Sequence, residues 1–286
     1  MKELINGLII KKRRKELHIS QKELAEGITT QGTISALERN STSPNSDILT
    51  KILERLSLSL TDVLVGNEKI DNQKLLAAAD KCFMNYDYHT VLTTLKKIKK
   101  ITDPHQRAHY QFLKTDAKMW VKKDYDDAIF EYNQLLQETN DRNEIYAVLA
   151  TCELGIVYSL KQDLEKSAFY FKKLPGLMKK LDLDQHIFWS LSLFANLSEF
   201  YLNIDHQVGK CQDLLTEALH FAKKNNSPFF VDSFYLLSAE ALYAKNGEWT
   251  AEAIDDLTKS CVFAEFLDDK LELAKAQKHL DQINKQ

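Results

Sequence analysis

Amide and hydroxyl side chains that can hydrogen-bond to the edges of bases gather in one short stretch of this chain of 286 residues. Gln31 begins the stretch, and the small side chains that follow would let a helix approach a groove closely. We expect bases to be contacted by Thr30, Gln31, Gly32, Thr33, Ser35 and Ala36. If these residues share one helix, its exposed face is suited to the major groove of double-stranded DNA.

Two short apolar stripes indicate the helices that must position these side chains. Leu24, Ala25 and Ile28 recur at the spacing of one helix face. Ile34 and Leu37 form a second stripe, and the short polar segment between the stripes suits a tight turn. A helical hairpin with no role in DNA binding would show the same stripes, so the stripes alone do not decide the function.

The residue pattern over this segment resembles the helix-turn-helix core of the Cro and phage-repressor type of DNA-binding domain. The resemblance rests on Ser-Gln-x-x-Leu-Ala at residues 20–25 and on Ile-Ser-x-Leu-Glu-Arg-Asn at residues 34–40. It implies that Arg14 pairs with Glu38, which would join the first helix to the recognition helix. Loss of either partner would then leave an uncompensated charge.

Helix N-termini provide a second kind of DNA contact. We expect Gln21, at the start of the second helix, and Asn45, after Pro44, to contact phosphates through their side chains or the helix N-terminus. The basic run 11–15 is mostly a solvated face and can also neutralise phosphates. Because one such domain offers a small recognition surface, we expect a homodimer on a pseudo-palindromic operator in double-stranded DNA.

Five helices are expected within residues 1–66. The first should run from Lys2 to Leu17, a fourth should follow Pro44, and a short fifth should span residues 59–64. The apolar stripe predicted for the first helix consists of Leu4, Ile5, Leu8, Ile9 and Leu17.

Composition separates this N-terminal domain from the rest of the chain. Residues 1–66 have a net charge of +2 and the remainder has a net charge of −5, in agreement with the overall value of −3. We therefore expect nucleic acid to bind the N-terminal domain alone. Eight glycines and four prolines are few for this length, which favours long helices.

The cysteines and the hydropathy pattern indicate a cytoplasmic protein. Cys82, Cys152, Cys211 and Cys261 are far apart and form no Cys-x-x-Cys pair, so we expect reduced core residues. No stretch approaches the roughly 18 apolar residues needed to cross a bilayer. The N-terminus also lacks the unbroken apolar segment of a signal peptide.

Helix start signals recur after residue 100 at a nearly constant interval, as in arrays of two-helix repeats. The predicted starts of first helices are Asp103-Pro104, Asp141, Asp184 and Ser227-Pro228. The predicted starts of second helices are near Asp124, Asp163 and Glu248. The segment 154–158 resembles the Leu-Gly-x-x-Tyr signature of a tetratricopeptide repeat.

The expected fold is all-α, with a five-helix helix-turn-helix domain over residues 1–66. Residues 67–72 are predicted to be a linker. Residues 73–286 should form a right-handed superhelix of about five tetratricopeptide-like hairpins, with a C-terminal capping helix from Asp268. Pro175-Gly176 should kink or divide the second helix of the third hairpin.

First helices of such repeats line a concave wall that can bind an extended peptide. They are unusually aromatic here, and most of the rings should pack from hairpin to hairpin while others wall a ligand. Polar residues between the rings are better candidates for ligand contacts. We expect peptide contacts from Lys118, Glu153, Asn196 and Glu199. Solvated surface is the alternative for each of them, although an asparagine can both donate to and accept from a peptide backbone.

A Cro-type domain followed by about five degenerate repeats resembles, over the whole chain, the RNPP group of regulators. The resemblance implies a dimeric transcription factor whose repeats bind a short, re-imported signalling peptide, as in quorum sensing. Members of the group grip the peptide backbone with asparagines of first helices. The matching region here is apolar around Ile156 and only Asn196 looks similar, so the clamping residues should differ.

Two other functions remain open. One is a repressor whose repeats serve only for dimerisation or for docking a protein, without a peptide ligand. The other is a scaffold that regulates a signalling enzyme by contact. The base-reading side chains of residues 30–36 argue against the scaffold.

Catalytic and metal chemistry has little support in the sequence. His105 and His109 have the i, i+4 spacing of zinc ligands, but the glutamate of a zinc-protease motif is missing and no third ligand is indicated. The glycines form no phosphate-binding loop. We therefore expect a protein that is not an enzyme and that holds no cofactor or metal.

Overall fold

The computed structural model describes residues 5–40, 44–63, 67–139 and 144–285. Within these ranges the chain is all-α, as predicted, because helical stripes, capping side chains and the scarcity of helix breakers agree along its length. We find there no helix with the length and apolar character that a membrane span requires.

Five helices make up the described part of the N-terminal domain, as expected. They are α1 (Gly7–Glu16), α2 (Gln21–Ala25), α3 (Gln31–Asn40), α4 (Ser46–Arg55) and α5 (Leu60–Val63). The predicted start of the first helix at Lys2 lies outside the described residues. α1 begins only at Gly7, because the side chain of Asn6 caps it by accepting a hydrogen bond of 3.1 Å from the N–H of Leu8.

The core of this domain corrects the apolar stripe predicted for the first helix. Ile5 and Ile10 are fully buried, whereas Leu8 and Leu17, which were expected in the stripe, are 69% and 39% exposed. Because the helix starts after Asn6, its buried face is set by Ile10 rather than by Leu8. Among the stripe residues predicted for the next two helices, Leu24, Ala25, Ile34 and Leu37 are buried and Ile28 is partly buried.

Five helical hairpins and one terminal helix follow within the described residues. The helices are α6 (Asn67–Met84), α7 (Tyr88–Leu95), α8 (Pro104–Lys122), α9 (Tyr125–Glu138), α10 (Ile145–Leu160), α11 (Leu164–Phe171), α12 (Leu174–Met178), α13 (Ile187–Asn203), α14 (Val208–Lys224), α15 (Val231–Asn246), α16 (Ala251–Leu267) and α17 (Lys270–Ile283). The first helices of the hairpins are α6, α8, α10, α13 and α15. The terminal helix α17 packs on α16 and α15.

The segment predicted to be a linker is helical. α6 begins at Asn67, so residues 67–72 form the first turns of the first hairpin. α6 also lies against α5 of the N-terminal domain. This contact places the first hairpin directly beside the N-terminal domain.

Aspartate side chains begin three of the repeat helices, as predicted. Asp103, Asp124 and Asp163 each accept a hydrogen bond from the backbone N–H three residues later, at 3.0, 3.1 and 3.2 Å. Thr250 caps α16 in the same way, close to the predicted start of that helix. These caps succeed as sequence signals because each side chain bonds to its own helix.

The start predicted at Asp184 is wrong. Asp184 lies in a 3-10 helix (Leu183–His186), and α13 begins only at Ile187. Its carboxylate binds Nζ of Lys224 at 2.7 Å, so a contact with another helix takes the place of capping. The start predicted at Asp141 lies outside the described residues.

The start predicted at Ser227-Pro228 is also wrong. A turn follows in which Phe230 adopts a left-handed backbone conformation with φ of 62°, and α15 begins at Val231. Such a conformation costs a bulky residue about 1–3 kcal/mol. Packing offsets the cost, because the ring of Phe230 lies 5.4 Å from that of Phe188 on α13.

The third hairpin contains the tetratricopeptide-like signature and shows what its glycine does. A Cβ atom at Gly155 would lie 2.7 Å from the ring of Phe171, so glycine lets α10 and α11 approach this closely. Pro175 lies in the first turn of α12, which divides the second helix of this hairpin as predicted.

Aromatic rings connect hairpins that are distant in sequence. The ring of Trp189 on α13 lies 5.1 Å from that of Phe83 on α6, 5.4 Å from that of Phe112 on α8 and 6.4 Å from that of Tyr146 on α10. These centroid distances are typical of favourable aromatic pairs. Four hairpins therefore meet at Trp189, and these first-helix rings pack in the core.

Candidate functional site

The six residues predicted to contact bases lie in the first two turns of α3 or just before it. The exposed ones are Thr30, Gln31 and Gly32, and the half-buried ones are Thr33, Ser35 and Ala36. The opposite face of α3 is anchored, because Ile34 and Leu37 are fully buried. A helix anchored in this way can present its other face to a groove of DNA.

A chain of hydrogen bonds fixes the N-terminal end of this helix. Arg14 binds Glu38 twice, from Nε to Oε1 at 2.6 Å and from Nη2 to Oε2 at 3.0 Å. Oε2 of Glu38 also accepts a hydrogen bond from Nε2 of Gln21 at 2.9 Å. Oε1 of Gln21 in turn accepts one from Nε2 of Gln31 at 2.8 Å. The predicted ion pair is present, and its network extends to the exposed Gln31.

The ion pair is buried, with 9% of Arg14 and 4% of Glu38 exposed. Burial opposes ionisation of Glu38, but hydrogen bonds from Arg14 and Gln21 and the nearby charges outweigh it and lower the pKa of Glu38. The hydrogen bond to Glu38 raises the pKa of Arg14. Nη1 of Arg14 also donates to the carbonyl of Ile19 at 2.8 Å, so the guanidinium ties α1 to the start of α2 and to α3.

The two residues predicted to contact phosphates lie at helix N-termini. Gln21 begins α2, but its side-chain amide is already bonded to Glu38 and Gln31. A phosphate at this helix end would therefore meet backbone N–H groups. Asn45 is exposed and caps α4, since its Oδ1 accepts a hydrogen bond of 2.9 Å from the N–H of Ile48.

Thr30 and Gly32 shape the surface at the start of α3. Oγ1 of Thr30 accepts a hydrogen bond of 3.2 Å from the N–H of Thr33, which caps the helix. A Cβ atom at Gly32 would meet only Thr30, at 3.7 Å. Glycine at this open position leaves the backbone accessible to a partner that approaches closely.

Two of the residues predicted to contact peptide are engaged within the repeat domain. Nζ of Lys118 on α8 binds Asp127 at 2.8 Å and Glu131 at 2.6 Å, both on α9. Glu153 on α10 is only 9% exposed and is hydrogen-bonded to Asp116. Either side chain would have to leave these partners in order to contact a peptide.

Asp116 and Glu153 form a buried carboxyl pair that no sequence motif indicates. Asp116 is 1% exposed, and its Oδ1 accepts a hydrogen bond of 2.9 Å from the hydroxyl of Tyr132. Burial raises the pKa of Asp116 to about 6, although the hydrogen bonds that its carboxylate accepts lower the pKa. Burial and the charge of Asp116 raise the pKa of Glu153 well above its ordinary value. Burial thus favours the protonated form of Glu153, in which its carboxyl group donates to Asp116.

Asn196 and Glu199 lie one turn apart on α13, as predicted. Nδ2 of Asn196 donates to the carbonyl of Ser192 at 2.9 Å. Glu199 is accessible to solvent but partly enclosed, and this burial raises its pKa. Lys275 opposes the shift, and Glu272 on the same helix adds to it. Glu199 therefore lies near α17, and Asn196 bonds within its own helix, whereas Lys118 and Glu153 have their partners on α9 and α8.

The two histidines at zinc-like spacing bind carboxylates instead. Nδ1 of His105 lies 2.8 Å from Oε2 of Glu144, and Nε2 of His109 lies 2.7 Å from Oδ1 of Asp80. The hydrogen bond with Glu144 raises the pKa of His105. Over the ranges that the structure describes, we find no group of three or more side chains suited to holding a metal ion. The two histidines four residues apart therefore contact the neighbouring hairpins on either side, His105 through Glu144 and His109 through Asp80.

Comparison with known families defines the N-terminal part of the chain. Residues 10–63 match the helix-turn-helix family HTH_3. The match covers both partners of the buried ion pair, Arg14 on α1 and Glu38 on α3, and the exposed Gln31. The chain therefore contains a DNA-binding helix-turn-helix domain. No curated protein sequence matches the chain.

Solved structures share the fold over almost the whole chain. PlcR of Bacillus thuringiensis, in complex with the peptide PapR7 and DNA, matches with a TM-score of 0.62 and 21% identity, over 94% of this chain and 96% of PlcR. Its apo form matches with a TM-score of 0.60 and 18% identity, over 94% and 98% of the two chains. The apo competence regulator ComR from Streptococcus vestibularis matches with a TM-score of 0.57 and 15% identity, over 96% of each chain.

These likenesses confirm, at the level of the fold, the resemblance to the RNPP group predicted from the sequence. They include the repeat architecture as well as the DNA-binding domain, because they span both parts of the chain. The family match and the shared fold place the chain with transcription regulators, in agreement with the expectation that it is not an enzyme.

Proposed function

We propose that this chain is a cytoplasmic transcription regulator that binds a specific operator through α3 and is controlled by a short peptide bound in the groove of its repeats. The observation that carries the proposal is the combination, in one chain, of a recognition helix braced by Arg14 and Glu38 with the repeat fold of PlcR. The solved complex of PlcR contains both a peptide and DNA.

Base reading through α3 gives the first prediction. Gln31→Ala should weaken binding to the correct operator by about 1–3 kcal/mol and change binding to random DNA little. The reason is that an amide that hydrogen-bonds to the edge of a base distinguishes one base pair from another. The operator would be selected from a random-sequence library, and both affinities measured by titration of labelled duplexes. Gln134→Ala, an exposed glutamine on α9, is the matched control. Equal losses on operator and random DNA would exclude base reading by Gln31.

A homodimer is the second part of the proposal, since one helix-turn-helix domain covers only half of a pseudo-palindromic site. Exposed apolar side chains at the C-terminal end support a contact there. Val262 and Phe266 lie one turn apart on α16 and are 59% and 75% exposed, and Leu271 at the start of α17 is 67% exposed. Large apolar side chains exposed together typically mark a protein interface.

Phe266→Asp is expected to convert the dimer to a monomer and to lower operator affinity, because a charge would be buried in an apolar interface. Light scattering at micromolar concentration gives the oligomeric state. Phe130→Asp, at a phenylalanine on α9 that is 67% exposed, is the matched control. A Phe266→Asp protein that remains a dimer would exclude this surface, and a strictly monomeric wild type with and without DNA would exclude the dimer itself.

Regulation by a peptide is tested on protein purified from its host. Native mass spectrometry would detect a short peptide that remains bound to the protein. Peptide added to the purified protein should change operator affinity, and operator DNA should change peptide affinity by the same factor, because coupling is reciprocal. The contact of α6 with α5 supports such coupling. If no peptide binds, the alternative of a repressor whose repeats serve only dimerisation or protein docking replaces the sensor.

A further inference from the structure

Carboxylates gather where the last two hairpins meet α17. Glu199 lies on α13, Glu240 on α15 and Glu272 on α17. Burial raises the pKa of Glu199 and of Glu240, and the charge of Glu272 adds to both shifts. Two basic residues lie among them, since Nζ of Lys275 lies 2.6 Å from Glu272 and Nε2 of His279 lies 3.2 Å from Glu240. The acidic cluster is defined here as Glu199, Glu240, Asp269 and Glu272.

Asp232 supplies an independent observation beside this cluster. It lies in the first turn of α15 and is 2% exposed, and its Oδ2 has no hydrogen-bond partner among the described residues. Burial raises the pKa of Asp232 to about 6, and the charges of Asp269 and Glu272 add to the shift. A buried carboxylate oxygen without a partner is costly. Asp232 therefore presents an unsatisfied acceptor toward the acidic cluster.

Tyr86, which follows α6, approaches the same place from the first hairpin. Its side chain is 61% exposed, so solvent reaches the ring. Partial burial together with the charges of Asp269, Asp232 and Glu272 raises the pKa of Tyr86 to about 12. Because Tyr86 belongs to the first hairpin and the carboxylates to the last helices, the site brings together both ends of the repeat array.

We propose that this site selects a peptide that carries a positive charge, whose ammonium or guanidinium group binds Asp232 and the acidic cluster. The inference rests on the peptide-sensing function proposed above and adds the charge of the ligand to it. A cation beside Oδ2 of Asp232 would give the buried carboxylate the partner that it lacks, where low exposure strengthens an ion pair. An anionic peptide would add a like charge to a region whose carboxylates already repel one another.

Three pools of short synthetic peptides test this charge preference on the full chain. All pools share one length and one set of randomised apolar positions, and their fixed positions are all lysine, all glutamine or all glutamate. In affinity selection read by mass spectrometry, we expect the lysine pool to be retained at least about tenfold more than the glutamine pool. The glutamate pool should not be retained. N-acetylated copies of the pools show whether side chains or the free amino terminus supply the charge.

Asp232→Asn keeps the shape of the side chain and removes its charge. It should reduce the preference for the lysine pool to within about twofold, whereas Glu165→Gln, on the exposed face of α11, should leave the preference unchanged. The variant is expected to fold, because it removes a buried charge, and circular dichroism checks this. Wild-type retention of the lysine pool should fall from pH 8 to pH 5, because Asp232 takes up a proton over this range. The other groups that face Asp232 are Asp269, Glu272 and the hydroxyl of Tyr86, and this hydroxyl stays neutral throughout.

The outcomes separate this inference from the function on which it rests. Retention of the glutamine or glutamate pool at the level of the lysine pool would overturn the charge preference and leave peptide sensing intact. An unchanged preference in folded Asp232→Asn would overturn the role of Asp232. Retention of no pool, acetylated or free, would overturn peptide sensing together with the charge preference.

Discussion

Glu38→Ala is expected to destabilise the helix-turn-helix domain by about 3–5 kcal/mol, because it leaves the guanidinium of Arg14 buried without its carboxylate. Arg14 is only 9% exposed, so water cannot fully replace the lost partner. A domain of this size has a total stability of about 3–9 kcal/mol, so the variant should be largely unfolded at physiological temperature. Unfolding of residues 1–66 by urea, followed by circular dichroism, measures the change, since the domain has its own hydrophobic core.

A surface ion pair on the same helix provides the control. Arg13 and Glu16 lie 3.2 Å apart, with side chains 37% and 47% exposed. Glu16→Ala should therefore cost no more than about 1 kcal/mol. If the two variants lose the same free energy of unfolding, the pair between Arg14 and Glu38 does not behave as a buried one. Glu38→Gln, which keeps the shape and removes the charge, should lie between the two.

The helix-turn-helix domain could be predicted from the sequence because its signals are local. The apolar stripes, the turn and the positions of Arg14 and Glu38 all fall within one continuous pattern. The bond between Gln21 and Gln31 could not be predicted in the same way, because it depends on the rotamers of two flexible amides on different helices. Sequence indicated that Gln31 is exposed, and the structure adds what holds it there.

The repeat domain shows where local signals fail. Asp103, Asp124 and Asp163 cap their own helices, so the sequence pattern and the structure agree. Asp184 resembles these residues in sequence, but it binds Lys224 on another helix. The left-handed turn at Phe230 likewise depends on packing against α13. Contacts between hairpins decide both cases, and a single sequence does not display such contacts.

The groove was predicted only in part for the same reason. Asn196 and Glu199 were indicated because they are polar residues on a first helix. Asp232 and Asp269 are ordinary helix-start residues in the sequence, and neither suggests a site. They come near Tyr86 only because the array brings its first hairpin close to its last helices.

The stability of the repeat domain is expected to fall as the pH rises from 5 to 8, and Glu153→Gln should remove a large part of that fall. Burial and the charge of Asp116 raise the pKa of Glu153 above its ordinary value of 4.5, so the folded protein keeps a proton that the unfolded chain releases. The stabilisation is therefore complete below about pH 4.5 and is lost as the pH rises toward the folded pKa. For one proton the slope approaches about 1.4 kcal/mol per pH unit.

Other carboxyl groups contribute to the fall with the same sign, so the prediction concerns the difference between wild type and variant. Burial raises the pKa of Asp116 and that of Asp232 to about 6 each. His105 and Glu240, whose pKa values are also raised, contribute to the fall in both proteins, so the part of the slope that Glu153→Gln removes belongs to Glu153. Urea unfolding of the full chain, followed by tryptophan fluorescence at pH 5, 6.5 and 8, gives the free energies.

A glutamine at position 153 can donate to Asp116 as the protonated glutamate does, so the variant should match the wild type at pH 5. As the pH rises, the wild type must either keep a proton at increasing cost or bury a second charge beside Asp116. The variant faces neither cost and should become the more stable protein by pH 8. Glu165→Gln, on the exposed face of α11, should leave the pH dependence unchanged. A difference between Glu153→Gln and wild type that stays constant from pH 5 to pH 8 would mean that Glu153 holds no extra proton in the folded state.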